Sequence, residues 1–429
     1  MTITPVAEKK EKVSPLRVGL IGVTGYAFAY FEELTRLVEA GKVTWGAVTI
    51  INPEDATDVI TFFKSIKVPI YDDYRDMLEQ EEKNLDWVCV PTAISWHAEM
   101  TIDSLRRGIP VLLEKPIAST LQEVKAIQAA EVESGLPVAI GYQYGYCPRT
   151  LEIKERLIAG EIGEIERIDC LCLWPRDFAY YHRNDWAGSV HDGHGWVLDS
   201  PLHNASSHLV NLILFFAGSS FEKRADLKDV SAELYRVNDI QNFDTIRCEV
   251  NFDTGPRATV LLSHATEKLF DPEIRIQGSK GIFVWRFCGN HTIETEDGVE
   301  LIEADSPLAV RACMFDKVVK QVQGDRSVHV CTTEQAKGEV KWVNAVQDAA
   351  PVHEIPEEYI REVIGDNGEV FRIVDQLDHY AMQAYKNQCS FKELGVPWAV
   401  EPSFLDLSDY ADFEARFVAA PVFADQKKI

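Results

Sequence analysis

Lys115 and His208 are the two side chains of this 429-residue chain whose settings point to charge and proton chemistry. Lys115 stands in Glu114-Lys115-Pro116, directly after the apolar run Pro110-Val111-Leu112-Leu113. That run reads as a buried strand, and Ser119 and Thr120 beyond it read as the start of a helix. The lysine is thereby placed where a strand leaves a sheet, the edge at which open α/β sheets bind ligands. The proline after it fixes the turn and is compatible with a cis bond. A snorkelling strand-end lysine is the plainer reading of the same three residues. His208 stands in Leu198-Asp199-Ser200-Pro201-Leu202-His203-Asn204-Ala205-Ser206-Ser207-His208-Leu209-Val210-Asn211. Ser200 is a good N-cap, Pro201 a good first helical residue and Gly218 a good stop. On one continuous helix Asn204, His208 and Asn211 share a face, with Leu202, Leu209, Leu212 and Phe216 mostly on another. An imidazole oriented by flanking amides suits proton transfer. A capped structural histidine is the alternative.

The elements that must hold these groups alternate between strand and helix. Strands are expected at 17–21, 43–51, 68–71, 85–90, 111–113 and 138–140. Helices are expected at 26–39, 74–80, 95–107 and 119–133, the last with Ser119 and Gln122 spaced as a capping box. Strict alternation implies a parallel sheet covered on both faces. The first strand–helix turn reads Gly22-Val23-Thr24-Gly25-Tyr26-Ala27. This is a degraded G-x-G-x-x-G fingerprint in which Thr24 and Ala27 replace two glycines, and Gly25 adds a small residue that lets the backbone approach a phosphate. A tight turn without a ligand is the alternative. After the second strand, Asn52 takes the place of the acidic residue that would bond a ribose hydroxyl, and no arginine follows to hold a 2′-phosphate. The residues therefore leave NAD and NADP both open, with a lean to NAD.

Residues 164–174 alternate as a half-buried strand, in which Cys170 and Cys172 share a face. The loop after it carries Arg176, Tyr180, Tyr181, His182, Arg183, Asn184, Asp185 and Trp186, a mixture suited to a hydroxylated substrate or to a subunit contact. His191-Asp192-Gly193-His194 is turn-like, and the chain offers no metal ligand set around it. From Val230 to about Glu303, alternating runs and turn signals predict a mostly antiparallel sheet. Helical spacing returns at 307–323, 333–348 and 357–387. An aromatic tail with Trp398, Phe404, Tyr410 and Phe413 follows, suited to packing on a domain or a subunit.

A net charge of −25 argues against nucleic acid and anionic membranes as partners. No stretch approaches the roughly 20 apolar residues of a membrane span. Residues 1–15 read as a solvated arm without the apolar core of a signal peptide. Nine scattered cysteines with no C-x-x-C suit reduced thiols and a cytoplasmic location.

Taken together, Glu114-Lys115-Pro116, Gly22 to Ala27, the His208–Asn211 helix ending at Gly218, His97 and Gly141-Tyr142-Gln143 resemble the Gfo/Idh/MocA oxidoreductases, relatives of glucose-fructose oxidoreductase and inositol dehydrogenase. The resemblance covers about residues 15 to 350. It implies a Rossmann dinucleotide-binding domain over 15–145 and a substrate-binding α/β domain over 146–349 with a large, mostly antiparallel open sheet. That sheet would join homodimers or homotetramers, and residues 350–429 would form a helical extension and tail. It further implies hydride transfer between a nicotinamide and a secondary alcohol or ketone carbon of a sugar, sugar acid or cyclitol. By carry-over, Lys115 polarises the reacting hydroxyl and His208 exchanges its proton. Asn204 stands where many members have an aspartate four residues before the histidine, and Asn211 where an aspartate is common three residues after it. Gly22, Thr24, Gly25 and Tyr26 would cradle the pyrophosphate, with Asn52 at the ribose. Pro91, Thr92, His97, Glu114 and Gln143 would line the nicotinamide side. Lys115, Arg183, Trp186, Asn204 and His208 would meet the polyhydroxylated substrate. Other readings of the same fold are a glycoside-cleaving enzyme that uses NAD transiently and a non-catalytic nucleotide-binding regulator.

Overall fold

The computed structural model describes residues 15–418. Almost all of the expected N-terminal arm, and the end of the tail, lie outside the described residues. The first unit is built from β1 (Leu16–Ile21), α1 (Ala27–Glu39), β2 (Val43–Thr49), α2 (Thr57–Ser65), β3 (Ile70–Tyr71), α3 (Tyr74–Glu81), β4 (Trp87–Val90), α4 (His97–Arg106), β5 (Val111–Leu113), α5 (Leu121–Ser134) and β6 (Val138–Ile140). Its six strands are parallel in the order β3-β2-β1-β4-β5-β6. β4, β5 and β6 are buried at every position, as short apolar strands must be when helices cover both faces. The order reverses beside β1, so the carboxyl ends of β1 and β4 border the crevice where such sheets bind ligands.

The capping box of α5 lies one residue later than the spacing of Ser119 and Gln122 predicts. Thr120 accepts from the Glu123 N–H, and the Glu123 carboxylate returns to the Thr120 N–H. Ser119 is occupied elsewhere, since its hydroxyl donates to the Trp196 carbonyl at 2.7 Å.

The second unit contains α6 (Pro148–Ile158), β7 (Ile165–Leu173), α7 (Phe178–Tyr181) and α8 (Ser207–Ala217). Then follow β8 (Leu227–Arg236), β9 (Thr245–Phe252), β10 (Arg257–Ser263), β11 (Phe270–Gly278), β12 (Gly281–Arg286), β13 (His291–Thr295) and β14 (Gly298–Ile302). The chain continues as α9 (Pro307–Val322), α10 (Thr333–Ala349), β15 (Val352–Glu354), β16 (Ile360–Ile364), β17 (Val370–Val374), α11 (Leu377–Asn387) and β18 (Ser403–Asp406). The large sheet runs β14-β13-β12-β11-β7-β10-β9-β8-β15, with β18 also on β8, and is antiparallel except at β7/β10 and β8/β15. The period of two along β7 sorts its residues cleanly. Cys170 and Cys172 face the cluster that includes α8 and α10, while Leu171 and Leu173 face α11 and the tail around Trp398. Met314, Phe315, Val318 and Val319 of α9, with Ala336 and Val340 of α10, return to the core of the first unit.

Of the helix expected at 357–387, only Leu377–Asn387 is α-helical; Glu357–Tyr359 form a single 3-10 turn and residues 360–374 the β16/β17 hairpin. The reason is local. Two β-branched runs flank Asp366-Asn367-Gly368, and Gly368 takes a φ of +89° that a helix interior excludes. In the tail, Trp398 packs edge-on against Tyr235 at 4.9 Å, and the Tyr410 hydroxyl donates to Asp348 at 2.6 Å. Among the described residues no helix is long and apolar enough to cross a membrane.

Gly141, which leaves β6 toward the second unit, packs too closely for any side chain. A Cβ there would sit 2.6 Å from Glu114 Oε2 and 2.9 Å from the Tyr30 hydroxyl. Gly141→Ala is expected to cost about 1–3 kcal/mol of unfolding free energy by urea titration; an unchanged midpoint would refute the contact.

Candidate active site

At the end of β5 the chain turns Glu114 inward and Lys115 toward the second unit across a cis Lys115–Pro116 bond. Glu114 is only 6% exposed, and its Oε2 accepts from the Tyr30 hydroxyl at 2.5 Å. Burial drives its pKa up to about 7, against the pull of Lys115 and the Tyr30 hydrogen bond. The Lys115 ammonium donates to the Asn204 carbonyl at 3.1 Å and lies 3.4 Å from Asn204 Oδ1. The amide nitrogen of Asn204 donates to Asp199 Oδ1 at 2.8 Å, and Asp199 Oδ2 accepts from the Gly188 N–H at 2.6 Å. The carboxylate thus sets the amide, and the amide presents its oxygen to the ammonium. Asp199 reaches Asn204, not the histidine.

Pro201–Ala205 form a π-turn capped by Ser200, whose hydroxyl oxygen accepts from the His203 N–H. Ser206 breaks it from α8, so Asn204 does not share a helix face with His208 as the spacing predicts. His203 anchors the turn through Nδ1 at 3.1 Å from Glu339 Oε1, and both side chains are fully buried. His208 is half-buried, edge-on to Tyr142 and Tyr144 at ring distances of 5.9 and 5.2 Å. Asn211 points away, donating to the Gln335 carbonyl at 3.4 Å. Neither asparagine therefore orients the imidazole, and His208 Nδ1 is buried without a partner among the described residues. Burial, helped by the Lys115 charge, holds the His208 pKa well below the usual histidine range. The ring is neutral at pH 7 and free to accept a proton.

The first turn fits a dinucleotide. Gly22 and Gly25 adopt φ of +90° and +58°. The N–H groups of Thr24, Gly25 and Tyr26 donate to no protein acceptor among the described residues, and they lie at the N-terminus of α1. A Cβ on Gly25 would meet nothing within 4 Å, so the backbone is open to a phosphate. Thr92 lies across from Gly22, its methyl 3.8 Å from where a Cβ would be. Pro91 is buried beside it, Gln143 is buried, and Asn52 is exposed beyond β2. His97 does not line the cleft. It is fully buried, with Nδ1 2.7 Å from the Pro116 carbonyl and Nε2 3.1 Å from that of Thr92. Burial lowers its pKa to about 4, so a neutral ring donates to one of these carbonyls and braces both turns from behind.

Arg183 is exposed and stacks over Tyr180 at 3.7 Å and Trp186 at 5.3 Å, on the Asp199 side of the cluster. His194 stacks on Trp96 at 3.5 Å, so the His191–His194 turn braces the start of α4. Sequence reasoning missed four side chains at the site. Tyr142 and Tyr144 flank a glutamine that was singled out, and their alternation around it was a usable signal. Arg311 of α9, 5.9 Å over the Tyr26 ring, and Glu339 of α10 arrive from distant segments that carry no motif.

The Glu114 carboxyl has a folded pKa above its unfolded one. Its favourable contribution is complete below about pH 4.5 and is lost as pH rises through 7. Glu114→Gln is therefore expected to gain on wild type by on the order of 3 kcal/mol between pH 4.5 and 8 in urea titrations. Parallel stability curves would refute this.

Residues 16–142 match the family model described as "Oxidoreductase family, NAD-binding Rossmann fold", and residues 150–284 match the GFO/IDH/MocA C-terminal domain. Inositol 2-dehydrogenase of Azotobacter vinelandii is 25% identical over 350 residues, covering 76% of this chain and 95% of that protein. The Serratia proteamaculans inositol 2-dehydrogenase is 25% identical over 263 residues, covering 56% and 72%. The fold is shared with an inositol dehydrogenase homolog from Azotobacter vinelandii complexed with NADH and myo-inositol (TM-score 0.65, 16% identity, 78% of this chain and 94% of that one). It is also shared with the WlbA dehydrogenase from Bordetella pertussis in complex with NADH and UDP-GlcNAcA (TM-score 0.64, 18% identity, 77% and 95%). With both halves of the family pattern matched in order along one chain, the protein belongs to the GFO/IDH/MocA family of NAD-binding oxidoreductases.

Proposed function

We propose that this chain is an NAD-dependent dehydrogenase acting on a secondary alcohol of a sugar, sugar acid or cyclitol, with Lys115 and His208 as its catalytic residues. The observation that carries the reading is the juxtaposition of a Lys115 ammonium held by Asn204 with a neutral His208 whose Nδ1 has no protein partner. Bound NAD supplies the hydride acceptor, cradled by the free amides of Thr24, Gly25 and Tyr26. Lys115 donates to the substrate oxygen and stabilises the negative charge that grows there as the alcohol loses its proton. His208 takes that proton as general base and returns it in the reverse direction. Asn204 is a positioning residue for the ammonium, and Asp199 for Asn204. Arg183 and Trp186, on the loop beyond β7, frame the open side where a polyhydroxylated substrate enters. The names of the inositol 2-dehydrogenase relatives support a cyclitol or sugar as substrate.

Copies of the chain are proposed to associate through the β12–β14 end of the large sheet, where Val299 and Leu301 are exposed. Val299→Glu with Leu301→Glu is expected to reduce the mass measured by light scattering; an unchanged mass would remove this surface from consideration.

The reading is tested by following NADH formation with a panel of inositols, sugars and sugar acids. Net reduction of NAD by at least one member is expected. A protein that binds NAD but turns over nothing would refute it, and retained NAD with no net NADH would favour transient oxidation instead. Lys115→Ala and His208→Asn are each expected to lower kcat by about 10²–10⁴-fold while leaving the Kd for NAD within a few-fold. Because His208 is held neutral, the acid limb of kcat/KM is expected below pH 6.5.

A further inference from the structure

Arg224 is a buried cation with no carboxylate partner among the described residues. The residue is 8% exposed, and its Nε, Nη1 and Nη2 are all buried without a hydrogen-bond partner among the described residues. A guanidinium stays charged in a protein at any ordinary pH, and a buried charge is costly unless it is paired. Its position is set firmly. The loop before it folds back on Gly218 so closely that a Cβ there would lie 2.1 Å from the Lys223 carbonyl oxygen and 2.9 Å from Arg224 Cα. Gln335, from the capping box of α10, donates to the Phe221 and Glu222 carbonyls of the same loop. The guanidinium lies 4.1 Å over the Phe215 ring, with Nη2 3.9 Å from where a Cβ on Gly145 would be. An aromatic face offers attraction but no lone pair for the N–H groups.

The surroundings deepen the imbalance. Lys154 is also buried and is committed to the Phe216 and Gly218 carbonyls at the end of α8. Lys317 of α9 donates to the Tyr146 carbonyl. None of these three cations has a carboxylate within 4 Å among the described residues. The Cys331 thiol lies against the guanidinium and is drawn down by it, but it cannot serve as the counter-charge, because burial still raises its pKa to about 11. The Tyr146 hydroxyl is spent on the Ile140 carbonyl at 2.8 Å. Glu222, whose charge His329 feels, is exposed at the rim and accepts from the Ser220 hydroxyl. His329 adds a further unspent group, since its Nε2 is buried without a partner and its ring lies 5.8 Å from Phe215. Lys154 senses the uncompensated field. Burial first, then Arg224, lowers the Lys154 pKa to about 7.

We propose that Arg224, His329 and Lys317 form a binding site for a phosphate-type oxyanion, between the end of α8, α9 and the start of α10. The planar fork of an arginine matches two oxygens of such an ion, and a half-buried His329 places the site within reach of the surface. The site is distinct from the pyrophosphate cradle of the first turn and lies behind the Gln143–Tyr146 segment whose Tyr144 flanks His208.

The test uses the NAD-saturated protein, so that the first turn is already occupied, and titrates inorganic phosphate against chloride at fixed ionic strength. Wild type is expected to show a saturable rise in melting temperature of roughly 2–5 °C. Arg224→Met is expected to abolish that rise and, without phosphate, to melt no lower than wild type, since an unanswered charge has been removed. A wild type that responds no more to phosphate than to chloride would overturn the proposal. So would an Arg224→Met that is destabilised equally with and without phosphate, which would mark the guanidinium as a packing element. Should Arg224→Met not fold, Lys317→Met is read by calorimetry instead. An affinity for phosphate reduced at least threefold supports the site, and an unchanged affinity overturns it. Glycerol 3-phosphate in place of phosphate separates the two sources of the same chemistry. Tighter binding of the ester indicates a phosphorylated metabolite, and weaker binding indicates the free ion.

Discussion

To act on a hydroxyl, a lysine ammonium has to be partly dehydrated yet left with unspent hydrogen bonds, and the Asn204 contact meets both needs. A carboxylate in that place would pair directly with Lys115 and compete with the substrate for its charge. An amide contributes only a dipole, so the Asn204 contact leaves most of the ammonium's charge unneutralised. The amide is nonetheless fixed, because Asp199 holds its nitrogen at 2.8 Å and is itself held by the Gly188 N–H. The negative charge is moved one residue back from the lysine. His208 is held neutral first by its burial against Tyr142 and Tyr144 and then by the nearby Lys115 charge.

The arrangement depends on the π-turn at Pro201–Ala205. A regular helix from Ser200 to Ala217 would put Asn204 and His208 one turn apart on one face, with Asn211 beyond them. The widened turn and the break at Ser206 instead send the Asn204 carbonyl to Lys115 and free His208 from both asparagines. Such a turn needs an anchor, and the buried His203–Glu339 contact supplies it from α10. π-turns inside helices often mark functional sites, because they re-aim side chains that a uniform period would align.

These particulars show what was legible in the sequence. Glu114-Lys115-Pro116 and the Gly22–Ala27 turn were readable because each is a local pattern, a strand end or a strand–helix corner, whose chemistry is fixed within six residues. The parallel sheet was readable because its short strands are apolar on both faces. Asn204 and His208 were readable as residues but not as a geometry, since spacing arguments assume an unbroken 3.6-residue period and the π-turn adds to it. The hairpin at 360–374 was hidden by helical-looking spacing in a segment whose turn, Asp366-Asn367-Gly368, decides the matter. Glu339, Arg311 and the partners of Arg224 were beyond reach for another reason. They come together only when α9 and α10 return to the first core, and no local signal records that return.

That return places buried charge at the seam between the two units, and it does so with opposite signs on the two sides of α8. At its N-terminal end, Asp199 and Glu339 are buried carboxylates, each met by a donor from another segment. At its C-terminal end, Lys154 satisfies the last carbonyls, as a cation there should. Arg224 exceeds what that end can use, because the carbonyls are already taken. A chain with a net charge of −25 does not lack carboxylates to place against it. Glu222 at this rim stays in solvent instead, and the guanidinium is left against Phe215, His329 and Cys331. Among the described residues Arg224 is the arginine whose Nε, Nη1 and Nη2 are all buried without a partner, and it lies beside His329 in a strongly acidic protein, which is the setting in which a counter-ion from outside would be bound.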